Sequence, residues 1–222
     1  MAPTIERPCW RCRADAGQAL ACPGCEAVQP LPAGADLFWT LGLPRRLAVD
    51  VEDLERRYHA ASRAVHPDRH QTAGAREREL SLAASAAVNR AYRTLRDPVA
   101  RGRYWLELHG ERLADGGPQV PPAIAAEVFE TQEKLEELRA ADGGAAAKRV
   151  RGEVRELLDG FRSRLARLRD ELVAGYAAEN GKGPPALAEL RRRLAEVAYL
   201  CTLVGDIEET LGEGPRGTDH RH

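Results

Sequence analysis

Apolar side chains along this chain recur at helical spacing in blocks that glycine and proline separate. Four such blocks lie between residues 34 and 109. A short one covers Asp36 to Leu41 and is halted by Gly42 and Pro44. The second starts at Asp50, a good N-cap, with Asp53 three residues on to meet the amide dipoles. It carries Val51, Leu54, Tyr58, Ala61 and Val65 on one side, and Pro67 ends it. The third runs from Ala75 to Leu95, with Leu80, Ala84, Ala87, Val88, Ala91, Tyr92 and Leu95 as its apolar face. A fourth, from Pro98 to His109, carries Tyr104, Trp105 and Leu108. The second and third are long enough to pair antiparallel across the polar loop His66 to Gly74.

Residues 110–121 collect three glycines, Pro118 and Pro121, the strongest linker signal in the chain. Beyond it, one helix is expected from Pro122 to Ala141, with prolines at its start where they are tolerated. Gly143-Gly144 breaks it, a long helix spans Ala145 to Glu179, and Gly183-Pro184-Pro185 opens a last helix to Leu211. Three helices joined by short turns predict an antiparallel bundle. In the first of them Ile124, Val128, Leu135 and Leu138 fall within a narrow core-facing arc at about 100° per residue. Phe129 lies about 140° from Ile124, off that stripe, with Gln132 and Glu136 on its side. Residues 1–30 are cysteine- and turn-rich, and the polar tail 212–222 carries His220 and His222 without an expected role. The predicted fold class is all-α: a helical hairpin domain over 34–109 and a three-helix bundle over 122–211, preceded by a small cysteine knuckle.

Composition supports this picture. Of 222 residues only three are Phe, five Tyr and three Trp, so the core must be built from Leu, Ala and Val, which suits helices better than sheets. Lys and Arg number 33 against 34 Asp and Glu, for a net charge of -1. That balance argues against a dedicated nucleic-acid binder. Mean hydropathy is -0.46, and apolar runs fall far short of the ~20 residues needed to span a bilayer. Met1 to Pro8 has no signal-peptide character, so a cytoplasmic protein without membrane partners is expected.

Four of the five cysteines sit within 17 positions as two C-x-x-C pairs, Cys9/Cys12 and Cys22/Cys25, with nine residues between the pairs. Each pair can grip an ion through a tight turn, and two pairs complete a tetrahedron with Zn–S bonds of about 2.3 Å. A closed four-thiolate shell leaves no position for water, so such a site is structural, and metal supplies the folding energy of a segment this poor in apolar residues. Structural zinc is the expected cofactor. Iron in a rubredoxin-like site is the rival, and thiol redox chemistry is a weaker one without a βαβ context. Cys201, among Leu200, Leu203 and Val204, reads as a buried apolar filler.

His66-Pro67-Asp68 stands where the second helix meets the loop, flanked by two amphipathic helices. In that setting the chain resembles a J-domain, and specifically the HscB (Jac-type) co-chaperones of iron–sulfur cluster assembly. The matching stretches are Leu37 to Pro44, Tyr58 through Asp68-Arg69, Ala84 to Leu95, Asp97 to Arg101, then Tyr104, Leu106 and His109-Gly110. The resemblance covers residues 36–212 in order, and the four-cysteine knuckle is similar to that of some HscB-type proteins. It implies a non-enzymatic partner of a DnaK/HscA-type ATPase chaperone, whose ATP hydrolysis is stimulated by His66, Pro67 and Asp68. Arg56, Arg57 and Arg63 would form the basic docking face. It further implies a patch for an IscU-type scaffold, which by position becomes Val128, Phe129, Gln132, Glu133 and Glu136, with Tyr199 on the last helix. Gln132 replaces a typically apolar residue and Ala140 a frequent carboxylate, which points to weaker or differently centred binding. Arg69 keeps the charge of the lysine common after this turn.

Two other readings remain: a general J-domain protein delivering a different client, and a metal- or thiol-dependent oxidoreductase using the four cysteines. No Ser-His-Asp spacing, glycine-rich phosphate loop or H-E-x-x-H motif is present.

Overall fold

The computed structural model describes residues 7–113, 120, 122–141, 143–178 and 187–213. Most of the predicted linker, the Gly183-Pro184-Pro185 turn, Glu179 and nearly all of the tail lie outside the described residues. The regular structure is helical: α1 (Leu37–Thr40), α2 (Val51–Val65), α3 (Ala75–Arg96), α4 (Pro98–Leu108), α5 (Ala125–Ala140), α6 (Gly144–Ala178) and α7 (Leu187–Leu211). Two isolated antiparallel bridges, Pro8 with Asp15 and Ala21 with Val28, are the only extended pairings among the described residues. No described helix is long and apolar enough to cross a membrane. Contacts divide the chain into two units, Met1–Tyr104 and Trp105–His222.

The first unit holds the cysteine segment together with α1 to α3. Asp50 caps α2, its carboxylate accepting from the amides of Glu52 and Asp53. Tyr58 stacks on Tyr92 at 4.1 Å between ring centroids, while Val65 accepts a 2.7 Å hydrogen bond from Ser81. Later residues of α2 thus meet earlier residues of α3, so the pair is antiparallel. Leu54, Val65, Ala84, Val88, Ala91 and Leu95 are buried between them, whereas Val51, at the first turn, is exposed. Arg101 is buried and donates to the carbonyl of Leu95 at 2.6 Å, closing the end of α3. Asp97 then caps α4 by accepting from Ala100, with Pro98 at the first helical position. The stretch expected as a polar loop after α2 is instead an ordered 3-10 turn, Pro67–His70.

The second unit is a bundle of α5, α6 and α7. Lys134 meets Glu153 and Glu127 meets Arg164, so α5 and α6 run in opposite directions. Arg162 meets Glu208 and Arg193 meets Glu171, so α6 and α7 do also. The core gathers Ile124, Val128, Leu135 and Leu138 with Val154, Leu158, Phe161, Leu200, Leu203 and Ile207. A 3-10 turn at Pro122–Ile124 precedes α5, replacing the first turn of the longer helix expected from Pro122. Cys201 is exposed rather than a core filler. It lies about 100° around the helix from Leu200, outside the arc that Leu200, Leu203 and Ile207 turn inward.

Candidate metal centre and docking surfaces

The cysteine segment is two copies of one turn. In the first, the amide of Cys9 donates to Ala14 and that of Arg13 to the carbonyl of Cys9; in the second, Cys22 donates to Ala27 and Glu26 to Cys22. Each copy places a non-glycine residue at positive φ four positions after its first cysteine, Arg13 at 68° and Glu26 at 56°. Such residues cost on the order of 1 kcal/mol each; the paired backbone bonds that close the turn hold them there. Each copy also aims the second amide after its first cysteine back at the sulfur, Arg11 N to Cys9 Sγ at 3.3 Å and Gly24 N to Cys22 Sγ at 3.4 Å.

The four Sγ atoms lie within 4.8 Å of one another. Cys9 and Cys25 are 3.7 Å apart, and Cys12 and Cys22 3.6 Å. Bonds of about 2.3 Å to one ion at tetrahedral angles place sulfurs about 3.8 Å apart, so the donor set fits a four-thiolate metal ion. All five cysteines are free. Burial alone pushes the Cys9 thiol up, but the amides of Cys12 and Arg11 and the neighbouring sulfurs outweigh it and bring it down to about 6. Cys25 goes the other way: the Ala27 amide lowers it, yet burial and the three nearby sulfurs carry it up to about 12. Four thiols this close cannot all ionise without a cation, and a bound ion removes that opposition.

Gln29 was not expected to matter and is central here. Buried at 2% exposure, it donates to Cys9 Sγ at 3.2 Å and to the carbonyl of Ala27 at 2.7 Å, and its oxygen accepts from the amide of Trp10. Trp10 in turn donates to Val28 and lies under the guanidinium of Arg76 on α3. In the sequence Gln29 is marked only by its place four residues after Cys25; its role comes from its burial and its bond to Cys9 Sγ.

His66, Pro67 and Asp68 sit together at the end of α2. Proline has no amide hydrogen, so the last carbonyls of α2 need other donors. Side chains further along the chain supply them: Arg69 donates to Arg63, His70 to Ala64 and Ser81 to Val65. His66 Nδ1 accepts from the amide of Asp68 at 3.3 Å, and both side chains remain exposed. Arg56 and Arg63 are exposed on one face of α2, seven residues apart. Arg57 is tied down, pairing with Asp53 at 2.8 Å and donating to the carbonyl of Gly42 at 2.6 Å. Arg57 and Arg56 together hold the Asp53 carboxyl below the usual range.

On the bundle, Phe129 is 67% exposed, and Gln132, Glu133 and Glu136 are exposed with it on one face of α5. Val128 does not share that face: at 6% exposure it is a core residue, because its position coincides with the stripe of Ile124 and Leu135. Its backbone can border the patch, but its side chain is not a contact. Tyr199 is partly buried against the core, and burial followed by the charge of Asp206 pushes its hydroxyl up. Asp206 and Gln132 line a groove between α7 and α5, together with Arg139 and Glu209. Tyr199 lies seven residues before Asp206 and so faces the same side.

No protein-family model matches the chain. It is 37% identical over 151 residues to the "Co-chaperone protein HscB homolog" of Bordetella petrii, covering 68% of this chain and 87% of that one. It is 32% identical over 157 residues to the mouse "Iron-sulfur cluster co-chaperone protein HscB", covering 68% and 66%. Among solved structures, human co-chaperone protein HscB superposes with a TM-score of 0.68 at 25% identity, over 91% of this chain and 98% of the human one. The chaperone HscB from Vibrio cholerae gives 0.54 at 26% identity, over 80% and 99%. With 37% identity to a relative of which it covers 87%, and with HscB structures as its neighbours in fold, the chain belongs to the HscB family of co-chaperones.

Proposed function

We propose that this chain is a non-enzymatic co-chaperone that docks a DnaK/HscA-type ATPase chaperone, stimulates its ATP hydrolysis, and presents to it an IscU-type iron–sulfur scaffold. The observation that carries the reading is the His66-Pro67-Asp68 turn, exposed at the tip of a helical hairpin in a chain of the HscB family. The proline and the donors returned to α2 keep the turn in one conformation, so docking loses little entropy. Asp68 offers a carboxylate for a cation on the chaperone, and Arg56 and Arg63 offer two charges for an acidic surface. Arg57 serves chiefly to hold the α1–α2 turn against α2.

The scaffold would lie on Phe129, Gln132, Glu133 and Glu136, with Tyr199 reached across the groove toward α7. Phe129 is the apolar anchor and the carboxylates its rim. Cys9, Cys12, Cys22 and Cys25 would hold zinc, whose d10 shell suits four thiolates without redox chemistry.

Single-turnover ATP hydrolysis by the cognate chaperone tests the docking half. Wild type should accelerate it, and His66→Gln should abolish the acceleration with helix content and scaffold affinity unchanged. Loss of all three together would show that His66 is merely structural. Phe129→Ala should weaken scaffold binding by about tenfold or more, the scale of a buried aromatic anchor; unchanged affinity would move the client site elsewhere.

A further inference from the structure

One buried carboxylate touches both the cysteine knuckle and the His-Pro-Asp segment. Glu77, in the first turn of α3, is 7% exposed. Its Oε1 accepts from the amide of Val28 at 3.3 Å and lies 3.4 Å from Nδ1 of His70. Its Oε2 lies 3.5 Å from Arg11, a residue between Cys9 and Cys12. His70 is itself buried, and its other nitrogen, Nε2, donates to the carbonyl of Ala64 at 3.1 Å, two residues before His66. On the knuckle side, Val28 adjoins Gln29, which donates to Cys9 Sγ. A continuous set of contacts therefore runs from a metal-ligating sulfur to the last turn of α2.

Few other contacts join the two. An open groove of about 550 Å³ separates Cys22, Pro23 and Cys25 from Arg69, Thr72 and Ala73. Arg69 and Glu26 face each other across it at 3.9 Å, but both are exposed, and such pairs contribute little. Trp10 and Arg76 attach the knuckle to α3 without reaching the turn. The coupling converges on Glu77.

We propose that Glu77 is a positioning residue through which the metal-loaded knuckle braces the His-Pro-Asp turn, so that metal occupancy sets the order of the chaperone-docking segment. Besides Cys9 and Cys22, the buried apolar side chains of the described knuckle are Ala16, Leu20, Ala27 and Val28, too few to hold its fold without the ion. When it opens, Glu77 loses the Val28 amide and Arg11 and must regain water. His70 loses its buried carboxylate, and the carbonyl of Ala64 loses a fixed donor. The segment from His66 to Ala73 then samples more conformations. The link is reciprocal, so removing Glu77 also weakens the hold on the metal.

Amide hydrogen exchange on the full chain tests this, with zinc bound and after chelation. The inference rests on the co-chaperone reading for its consequence, but no chaperone enters the measurement, so either can fail without the other. Chelation should speed exchange at Arg69 and Ala73 by at least about fivefold, while the middle of α6 stays unchanged. Glu77→Ala should show the fast exchange with zinc still bound, and chelation should add nothing further. Glu77→Gln, which keeps an acceptor for Val28, should fall between and guards against simple misfolding of the alanine variant. Equal protection at Arg69 and Ala73 with and without zinc would overturn the proposal. So would chelation still loosening them in Glu77→Ala by the wild-type factor.

Discussion

At the scale of single residues, the cysteine site depends on groups that are not ligands. Cys9 Sγ accepts from the amides of Arg11 and Cys12 and from the side chain of Gln29. Donors aimed at a sulfur favour the thiolate and fix the ligand before the ion arrives. Gln29→Ala removes one of them and leaves the Trp10 amide without its partner. Zinc affinity measured by chelator competition should fall by about tenfold, and an unchanged value would make Gln29 a spacer. The residue scale also shows what pattern reading can reach. Phe129 was legible as outward-facing because helical angle alone separates it from Ile124 and Leu135. The same angle places Val128 in the core, and the family patch placed it outside; burial decides for the core. Glu77 was visible in principle. It stands four residues before Ser81 on the stripe that continues through Ala84, Val88, Ala91 and Leu95, and a carboxylate on a buried stripe asks for a partner. That partner is the knuckle, far away in sequence, so helical periodicity could not name it.

At the scale of elements, helices were legible and their ends less so. α2 begins after Asp50 and stops before the proline, as cap and breaker rules require. α3 and α7 end within a residue of their expected limits. The 3-10 turn at Pro67–His70 was not legible, since its order comes from side chains that return to α2 rather than from local propensity. Ion pairs at one end of the bundle set how its helices meet. Arg164 of α6 bonds Glu196 of α7 at 3.0 Å and approaches Glu127 of α5 at 3.8 Å, and Glu196 is buried. Arg164→Met leaves that carboxylate unpaired and should destabilise the protein by about 2 kcal/mol, the partly exposed arginine reducing the figure for a fully buried pair. Thermal unfolding should then shift down by about 4–8 °C; no shift would mean water serves Glu196 equally well. Near the start of α7, Glu189 accepts from Arg192 and Arg193, and these bonds hold its carboxyl down at about 2. A carboxyl depressed in the folded state stabilises above its unfolded pKa, and that contribution fades as pH falls through the folded value. Glu189→Gln should therefore lower the melting temperature by no more than about 2 °C at neutral pH. The difference should hold to about pH 5 and vanish near pH 2. A difference that persists in acid would assign the effect to packing.

At the scale of the whole molecule, chemistry is divided between two units. One carries the cysteine site and the His-Pro-Asp turn, the other Phe129 and its carboxylates. None of the core residues of the bundle belongs to the knuckle. Chelation should accordingly leave the far-ultraviolet helical signal almost unchanged while releasing one ion per chain; a large loss of helicity would give the metal a wider structural role. Composition had already pointed to helices, and the spacing of Cys9, Cys12, Cys22 and Cys25 to a metal site. The joining of knuckle and hairpin in one unit could not be read, because it rests on contacts between residues far apart in sequence, among them the Val28 amide and Arg11 on Glu77 and the guanidinium of Arg76 over Trp10. Above all, one chain is proposed to link an ATPase chaperone to a scaffold. The measurement that tests this most directly is the steady-state ATPase rate of the cognate chaperone, with this protein alone and then with the scaffold added. Wild type should stimulate and should stimulate further with scaffold; Phe129→Ala should keep the first effect and lose the second; His66→Gln should lose both. Stimulation indifferent to the scaffold would contradict the client assignment, and no stimulation by the wild type would contradict the account as a whole.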